Sequence, residues 1–199
     1  MLKQTDLIMS DRQKEIVDVA LQLIAEEGIQ GLTIKNLAKK IGFSESAIYR
    51  HFESKTEILL ALLDFFKEIT TQLFAEQLQS NESSLVKIEN LFMAHFSKFT
   101  QTPSLVSVIF SEDIFRNEEA LSNKVAEIVN RNVVGLKTIL TEGQQKGEIN
   151  NAIDSTHLSV IILGSLRMFI KQWHMKNYSF DLMEKGAAFT DSIKTLIRP

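Results

Sequence analysis

Between Thr33 and Lys55 two short helical patterns meet at a glycine, and this junction constrains the fold more than any other stretch of the chain. Ile34, Leu37, Ala38 and Ile41 recur at three-and-four spacing, which places apolar groups along one helical face. Gly42 follows, a residue able to take the positive φ of a tight helix-ending turn. Ser44 then stands where a hydroxyl caps a second helix, and Phe43, Ile48 and Phe52 close the same small core. Left outside are Lys35, Lys39, Ser46, Tyr49, Arg50 and Lys55. Cations, hydroxyls and a phenol are the groups that meet phosphate oxygens and base edges, so the stretch reads as a helix-turn-helix that enters DNA.

The net charge of the chain, −3, argues against nucleic acid only when it is averaged over all 199 residues. Within Thr33 to Lys55 the cations Lys35, Lys39, Lys40, Arg50 and Lys55 face only Glu45 and Glu53, a local net charge of +3. A basic footprint confined to one face is what contact with phosphate requires. A charge cluster by itself more often marks a solvated surface, so the charge supports the motif without replacing it.

The rest of the chain reads as helices. Ser10 and Gln13 form a capping box, Ile16, Val19, Ala20, Leu23 and Ile24 give a buried stripe, and Gly28 stops the first helix. Ser54 and Glu57 form a second box. It launches a long helix through Ile58, Leu59, Leu62, Leu63, Phe66, Ile69 and Leu73, which leaves the DNA-binding unit as a strut. Further helices are expected over 84–100, 104–115 and 118–147, with Pro103 between the first two. No stretch alternates with period two long enough to make a strand, so the fold is all-α with about nine helices. The domains are expected at 1–55, the helix-turn-helix, and at 56–199, a helical regulatory and dimerisation body.

From Leu158 to Ile170 only Ser159, Gly164, Ser165 and Arg167 interrupt an apolar sequence, so the eighth helix is hydrophobic nearly all round. A helix apolar on two sides needs a partner beyond its own domain, and Gly164 and Ser165 permit close approach. The ninth helix carries Leu182, Gly186, Phe189, Ile193 and Leu196 at helical spacing. These two helices are expected to pair with their two-fold copies, with Leu158, Ile161, Ile162, Ser165, Phe169, Phe189 and Ile193 at the interface. The alternative is an eighth helix buried at the centre of a monomer. Reading a palindrome needs two recognition helices about 34–36 Å apart or more, which favours the dimer.

Thr33, Gly42, Ser44, Ile48, Tyr49, His51, Phe52, Ser54 and Lys55 stand at the positions of a specific pattern, and on them the segment resembles the DNA-binding domain of TetR-family repressors. The resemblance implies that Thr33 caps the second helix and directs it at a phosphate, and that Lys35 reaches a base or phosphate. Ser44, Tyr49, His51 and Lys55 match positions that hold the DNA backbone. Ser46 and Ala47 lie where base edges are read, and Arg50 adds a cation. Glu45 departs from the commonest form, which has lysine or another donor there; a carboxylate repels phosphate unless it accepts from a cytosine amino group or pairs with Arg50 or Lys39. His51 and Tyr49 also have plain structural readings, as an internal hydrogen-bonding group and a half-buried packing residue.

Members of this family usually bind a small molecule between the helices of the C-terminal domain. Phe92, His95, Phe96, Phe99, Phe110, Phe115, Arg167, Met168 and Trp173 are the candidates to line such a pocket, although aromatic and methionine side chains at helical spacing are more often ordinary core. Arg167 is the sharper clue. A cation inside an apolar helix needs an acidic partner, such as Glu112 or Asp113, or an anionic ligand. The effector expected is lipophilic.

Catalysis finds no motif. His51, His95, His157 and His174 are dispersed, no glycine-rich phosphate loop or Gly-x-Ser-x-Gly turn occurs, and neither a metal nor a cofactor is expected. The chain has no cysteine, no apolar run of about 18 residues and no secretory h-region at its start, which points to the cytoplasm, with nucleoid association when bound to DNA. The expectation is therefore a homodimeric repressor of a double-stranded operator, released by a small molecule. Two alternatives stand beside it: a DNA-bound factor that recruits proteins without an effector, and a helical adaptor that binds no DNA.

Overall fold

The computed structural model describes residues 9–110 and 118–199, and among them every regular element is a helix. In chain order these are α1 (Asp11–Gly31), α2 (Ile34–Ile41), α3 (Glu45–Tyr49), α4 (Lys55–Gln79), α5 (Ser84–Gln101), α6 (Ser104–Ile109), α7 (Glu119–Gln145), α8 (Ser155–Met175) and α9 (Leu182–Ile197). They form two compact units, one running to Leu62 and the other from Leu63, so α4 contributes to both.

The first unit is built on its caps. Ser10 Oγ accepts from Gln13 N at 3.2 Å and Gln13 Oε1 accepts from Ser10 N at 3.0 Å, the reciprocal pair that satisfies two otherwise orphaned donors. Regular helix ends at Gly28, whose φ of 71° breaks α1 and redirects its last residues. Thr33 Oγ1 caps α2 by accepting from Asn36 N, and Gly42, at φ 83°, closes it with its N–H on the Ala38 carbonyl. Ile16, Val17, Ala20, Leu21, Leu23 and Ile24 of α1 bury against Leu32, Leu37, Ala38, Ile48 and Phe52. Val19, expected in that stripe, is only half-buried. Ser54 caps Glu57 N as expected, yet the Glu57 carboxylate reaches back to Glu53 N rather than Ser54 N.

In the second unit α5 is the central element, packed on α6, α7 and α9, while α8 lies on α6, α7 and α9. Two glycines permit the closest approaches. A Cβ at Gly186 of α9 would sit 2.4 Å from the Phe96 ring of α5, and one at Gly135 of α7 would sit 2.6 Å from the Phe74 ring of α4. Farther up the same two helices, Lys124 Nζ contacts Asp64 at 2.8 Å and Glu127 at 3.4 Å, and Lys67 also pairs with Glu127. The hydrogen bond to Asp64 raises the Lys124 pKa, and that from Lys67 lowers the Glu127 carboxyl. Such half-exposed pairs contribute about 0–1 kcal/mol each, so they set register more than stability.

α5 also carries a buried lysine: Lys87 Nζ meets Glu142 of α7 at 3.0 Å, and the helix start is closed by Glu148 accepting from Ser84 N at 2.6 Å. α8 begins three residues before the apolar run, where Asp154 caps it by accepting from Thr156 N at 2.8 Å, and continues beyond the run to Met175. α6 ends at Ile109, short of the expected 104–115; residues 111–117 lie outside the described residues.

His95 is buried among Phe66 and Phe99, its Nδ1 2.7 Å from the Leu91 carbonyl. Desolvation holds its pKa below the ordinary value, against the opposing effect of that hydrogen bond. The unfolded chain takes up a proton near pH ~6.5 that folded His95 refuses, so this stability is present above that pH and is lost as pH falls through the depressed value. A melting series from about pH 7.5 to 5.5 should show a falling melting temperature, and His95→Gln should flatten the slope.

Candidate nucleic-acid interface

Most of the side chains expected to face DNA lie exposed on α2, α3 and the turns around them. Thr33, Lys35, Ser44, Glu45, Ser46 and Arg50 are exposed and Tyr49 is half-exposed at 50%. Lys35, Lys39 and Arg50 form no ion pair with any described residue, so their charges remain available. Lys40 does not share this freedom, being paired with Glu26 of α1. Ser44 Oγ accepts from Ala47 N at 3.2 Å to cap α3 and lies 2.9 Å from Ser46 Oγ, so the two hydroxyls hold each other at the leading end of the helix.

Lys55 and His51 sit differently from the exposed set. Lys55 is half-buried and its Nζ donates to the Ile29 carbonyl at 3.0 Å, with burial pushing the ammonium below its ordinary pKa. The carbonyl it meets lies just past the Gly28 break, so Lys55 ties the start of α4 to the end of α1; two of its three donors remain for other partners. His51 is half-buried, and its carbonyl accepts from Gln13 Nε2 at 3.3 Å.

Gln13 and Arg12 are the residues that sequence reasoning missed here. Arg12 stacks over the Phe43 ring in the turn before α3, 4.8 Å from its centroid, while Gln13 reaches the turn after it. The first turn of α1 thus braces both ends of α3. The capping box was legible in the sequence, but the second use of the Gln13 amide depends on tertiary placement and leaves no local signal.

The residues expected to line an effector pocket fall in separate places. His95, Phe99 and Phe110 gather with Phe66, at ring separations of 5.8 Å for Phe66–Phe99 and 6.1 Å for Phe99–Phe110. The Arg167 guanidinium lies over the Phe110 ring at 4.6 Å. Phe92 and Phe96 turn the other way, toward Phe189 and Phe169. Trp173 is buried beneath the α8–α9 turn, its indole donating to the Phe180 carbonyl at 3.0 Å and its ring against Tyr178. Met168 is 55% exposed on the outer face of α8, in line with Ile161, Gly164 and Ser165. Phe115, Glu112 and Asp113 lie outside the described residues.

The expected interface residues also separate by face. Leu158, Ile162 and Ile193 are buried in their own unit, whereas Ile161 is 52% exposed. Ser165, Phe169 and Phe189 line a shallow open groove with Val160, Ile161, Gly164, Met168 and Gln172. Phe169 and Phe189 stack there at 4.5 Å, and a Cβ added at Gly164 would meet nothing within 4 Å. The apolar face of α8 that its own chain leaves open is therefore Val160, Ile161, Gly164 and Met168.

A capped helix-turn-helix bearing free cations, attached to an all-helical body, defines the class of helical DNA-binding regulators. Residues 16–62 match the model of bacterial regulatory proteins of the tetR family, and residues 65–197 match that of the C-terminal region of YsiA-like proteins. The chain belongs to the tetR family of bacterial transcriptional regulators. It is 27% identical to the fatty acid metabolism regulator protein of Bacillus subtilis (strain 168), over 92% of each chain. It is 22% identical to a probable acrEF/envCD operon repressor of Escherichia coli (strain K12), over 100% of this chain and 92% of that one. Among solved structures, the fatty acid degradation regulator FadR of Bacillus halodurans superposes with a TM-score of 0.79 at 22% identity, covering 94% of each chain. The regulator FadR of Bacillus subtilis in complex with stearoyl-CoA gives 0.76 at 24%, covering 92% of this chain and 96% of that one. These relatives are named as regulators and repressors rather than enzymes. Among the described residues no helix is long and apolar enough to cross a membrane, and no group of His, Asp and Glu could hold a metal ion.

The Gln13 bridge is open to test. Gln13→Glu keeps the acceptor of the capping box but removes the donor to His51, a hydrogen bond contributing about 1 kcal/mol. Circular dichroism should show unchanged helix content while anisotropy with promoter DNA shows about fivefold weaker binding. Ser10→Ala, which loses the cap and keeps the bridge, should do the reverse.

Proposed function

We propose that the chain acts as a homodimeric repressor that sets two α3 helices on a palindromic operator and is released by a lipophilic effector. The observation that carries the DNA contact is the set of exposed cations, Lys35 and Lys39 on α2 and Arg50 just after α3, that pair with no described residue. Thr33, Ser44, Tyr49 and His51 act with them on the backbone, Ser46 reads base edges, and Lys55 holds the frame while its remaining donors face phosphate. The open face of Val160, Ile161, Gly164 and Met168, continued by Phe169 and Phe189, supports pairing of α8 and α9 with their copies. A contiguous apolar groove of this kind costs free energy while it faces water.

For the effector, the buried cluster of Phe66, His95, Phe99 and Phe110, with Arg167 over the Phe110 ring, supplies aromatic side chains that would have to part around an apolar chain. A long acyl chain on an anionic thioester combines the two matching chemistries, and it is the ligand named for the Bacillus subtilis structure. Release follows from linkage. An effector that prefers the non-binding state lowers operator affinity by the ratio of its affinities for the two states.

Two experiments test this reading. Ile161→Glu places a charge on a residue already exposed in its own chain, so the protomer should fold; the sedimentation mass should halve and operator affinity should fall at least tenfold, and an unchanged mass removes this face from the dimer. Stearoyl-CoA titrated into the complex with promoter DNA should release the DNA. Retention at saturation favours a recruiting factor without an effector, and failure to retard promoter DNA at all favours the adaptor.

A further inference from the structure

Glu45 opens α3 as an exposed carboxylate at its leading end, and its neighbours leave it without an internal role. Neither Arg50 nor Lys39 forms an ion pair with it, and it accepts no hydrogen bond from any described residue. Elsewhere in the first unit Glu15 pairs with Arg12, Glu26 with Lys40 and Glu57 with Glu53 N, whereas the exposed side chains of Asp18 and Glu53 lie, like Glu45, without a described partner but away from the leading end of α3. The adjacent hydroxyls are occupied with each other and with the helix cap.

A lone carboxylate on a DNA-facing surface is repelled by every phosphate it approaches, and its desolvation is costly without a donor. In the major groove the donors are the exocyclic amino groups of cytosine and adenine, while guanine and thymine present only acceptors along with the thymine methyl. Adenine sets its amino group beside N7, whose lone pair faces the carboxylate. Cytosine offers its amino group with no acceptor next to it. We propose that Glu45 is a base-reading residue that selects a cytosine in each half-site through the N4 amino group. The inference rests on α3 being the element that enters the major groove. A first-turn carboxylate also stabilises the positive end of a helix, a role that acts on all DNA sequences alike.

Selection from a random duplex library with the full-length wild-type chain, Glu45→Gln and Glu45→Ala separates these roles. The wild-type pool should hold a fixed C·G pair at one position of each half-site. Glu45→Ala should lose that preference, and Glu45→Gln should shift it toward adenine, whose N6 and N7 match an amide. Replacing the cytosine in a selected duplex should weaken wild-type binding about tenfold and leave Glu45→Ala binding unchanged. Three identical pools, or a uniform loss of affinity with the base preference intact, would overturn the assignment. A wild-type chain that enriches no sequence overturns the DNA-binding reading itself, and this inference with it.

Discussion

A helix of five residues has no stability of its own, since forming the first turn fixes several residues for a single hydrogen bond. The first unit is organised around holding α3 in place despite this. Gly42 closes α2 with a left-handed turn, Ser44 caps α3, and Ile48 buries its inner face. Arg12 and Gln13 grip the turns before and after it, and Lys55 ties α4 to the carbonyl exposed by the Gly28 break. Ser44 and Ser46 are held by the cap, whereas the Glu45 side chain on α3 and that of Arg50 just beyond it meet no described residue and are free to specify a partner.

The second unit solves a different problem with the same materials. α5 is aromatic on two sides: His95 and Phe99 meet Phe66 and Phe110, whereas Phe92 and Phe96 meet Phe189 and Phe169. Its first side forms the enclosed cluster that Arg167 overlies. Its second side reaches the stacked pair at the open groove, so one helix contributes to both surfaces of the body. Gly186 makes this possible, because any larger residue there would collide with Phe96.

The architecture was largely legible in the sequence wherever its cause is local. The caps at Ser10, Thr33 and Ser44, the turn at Gly42 and the exposed cations on α2 and just after α3 follow from neighbouring residues alone. The α8 face did not follow. In a helix apolar all round, periodicity cannot say which residues its own chain covers, so Leu158 and Ile162 share a pattern with Ile161 although only Ile161 is exposed. Met168 carried the same ambiguity, being as suitable for a pocket as for an outer face. The Gln13–His51 and Lys55–Ile29 bonds span 38 and 26 residues, and no local rule reaches that far.

The central claim is that two copies of α3 read one operator together. Hydroxyl-radical footprinting on a duplex selected by the wild-type chain tests it most directly. The account predicts two protected patches related by a dyad and separated by about one helical turn, roughly 10–10.5 base pairs, or a multiple of it. A single protected patch with no symmetric counterpart would contradict it.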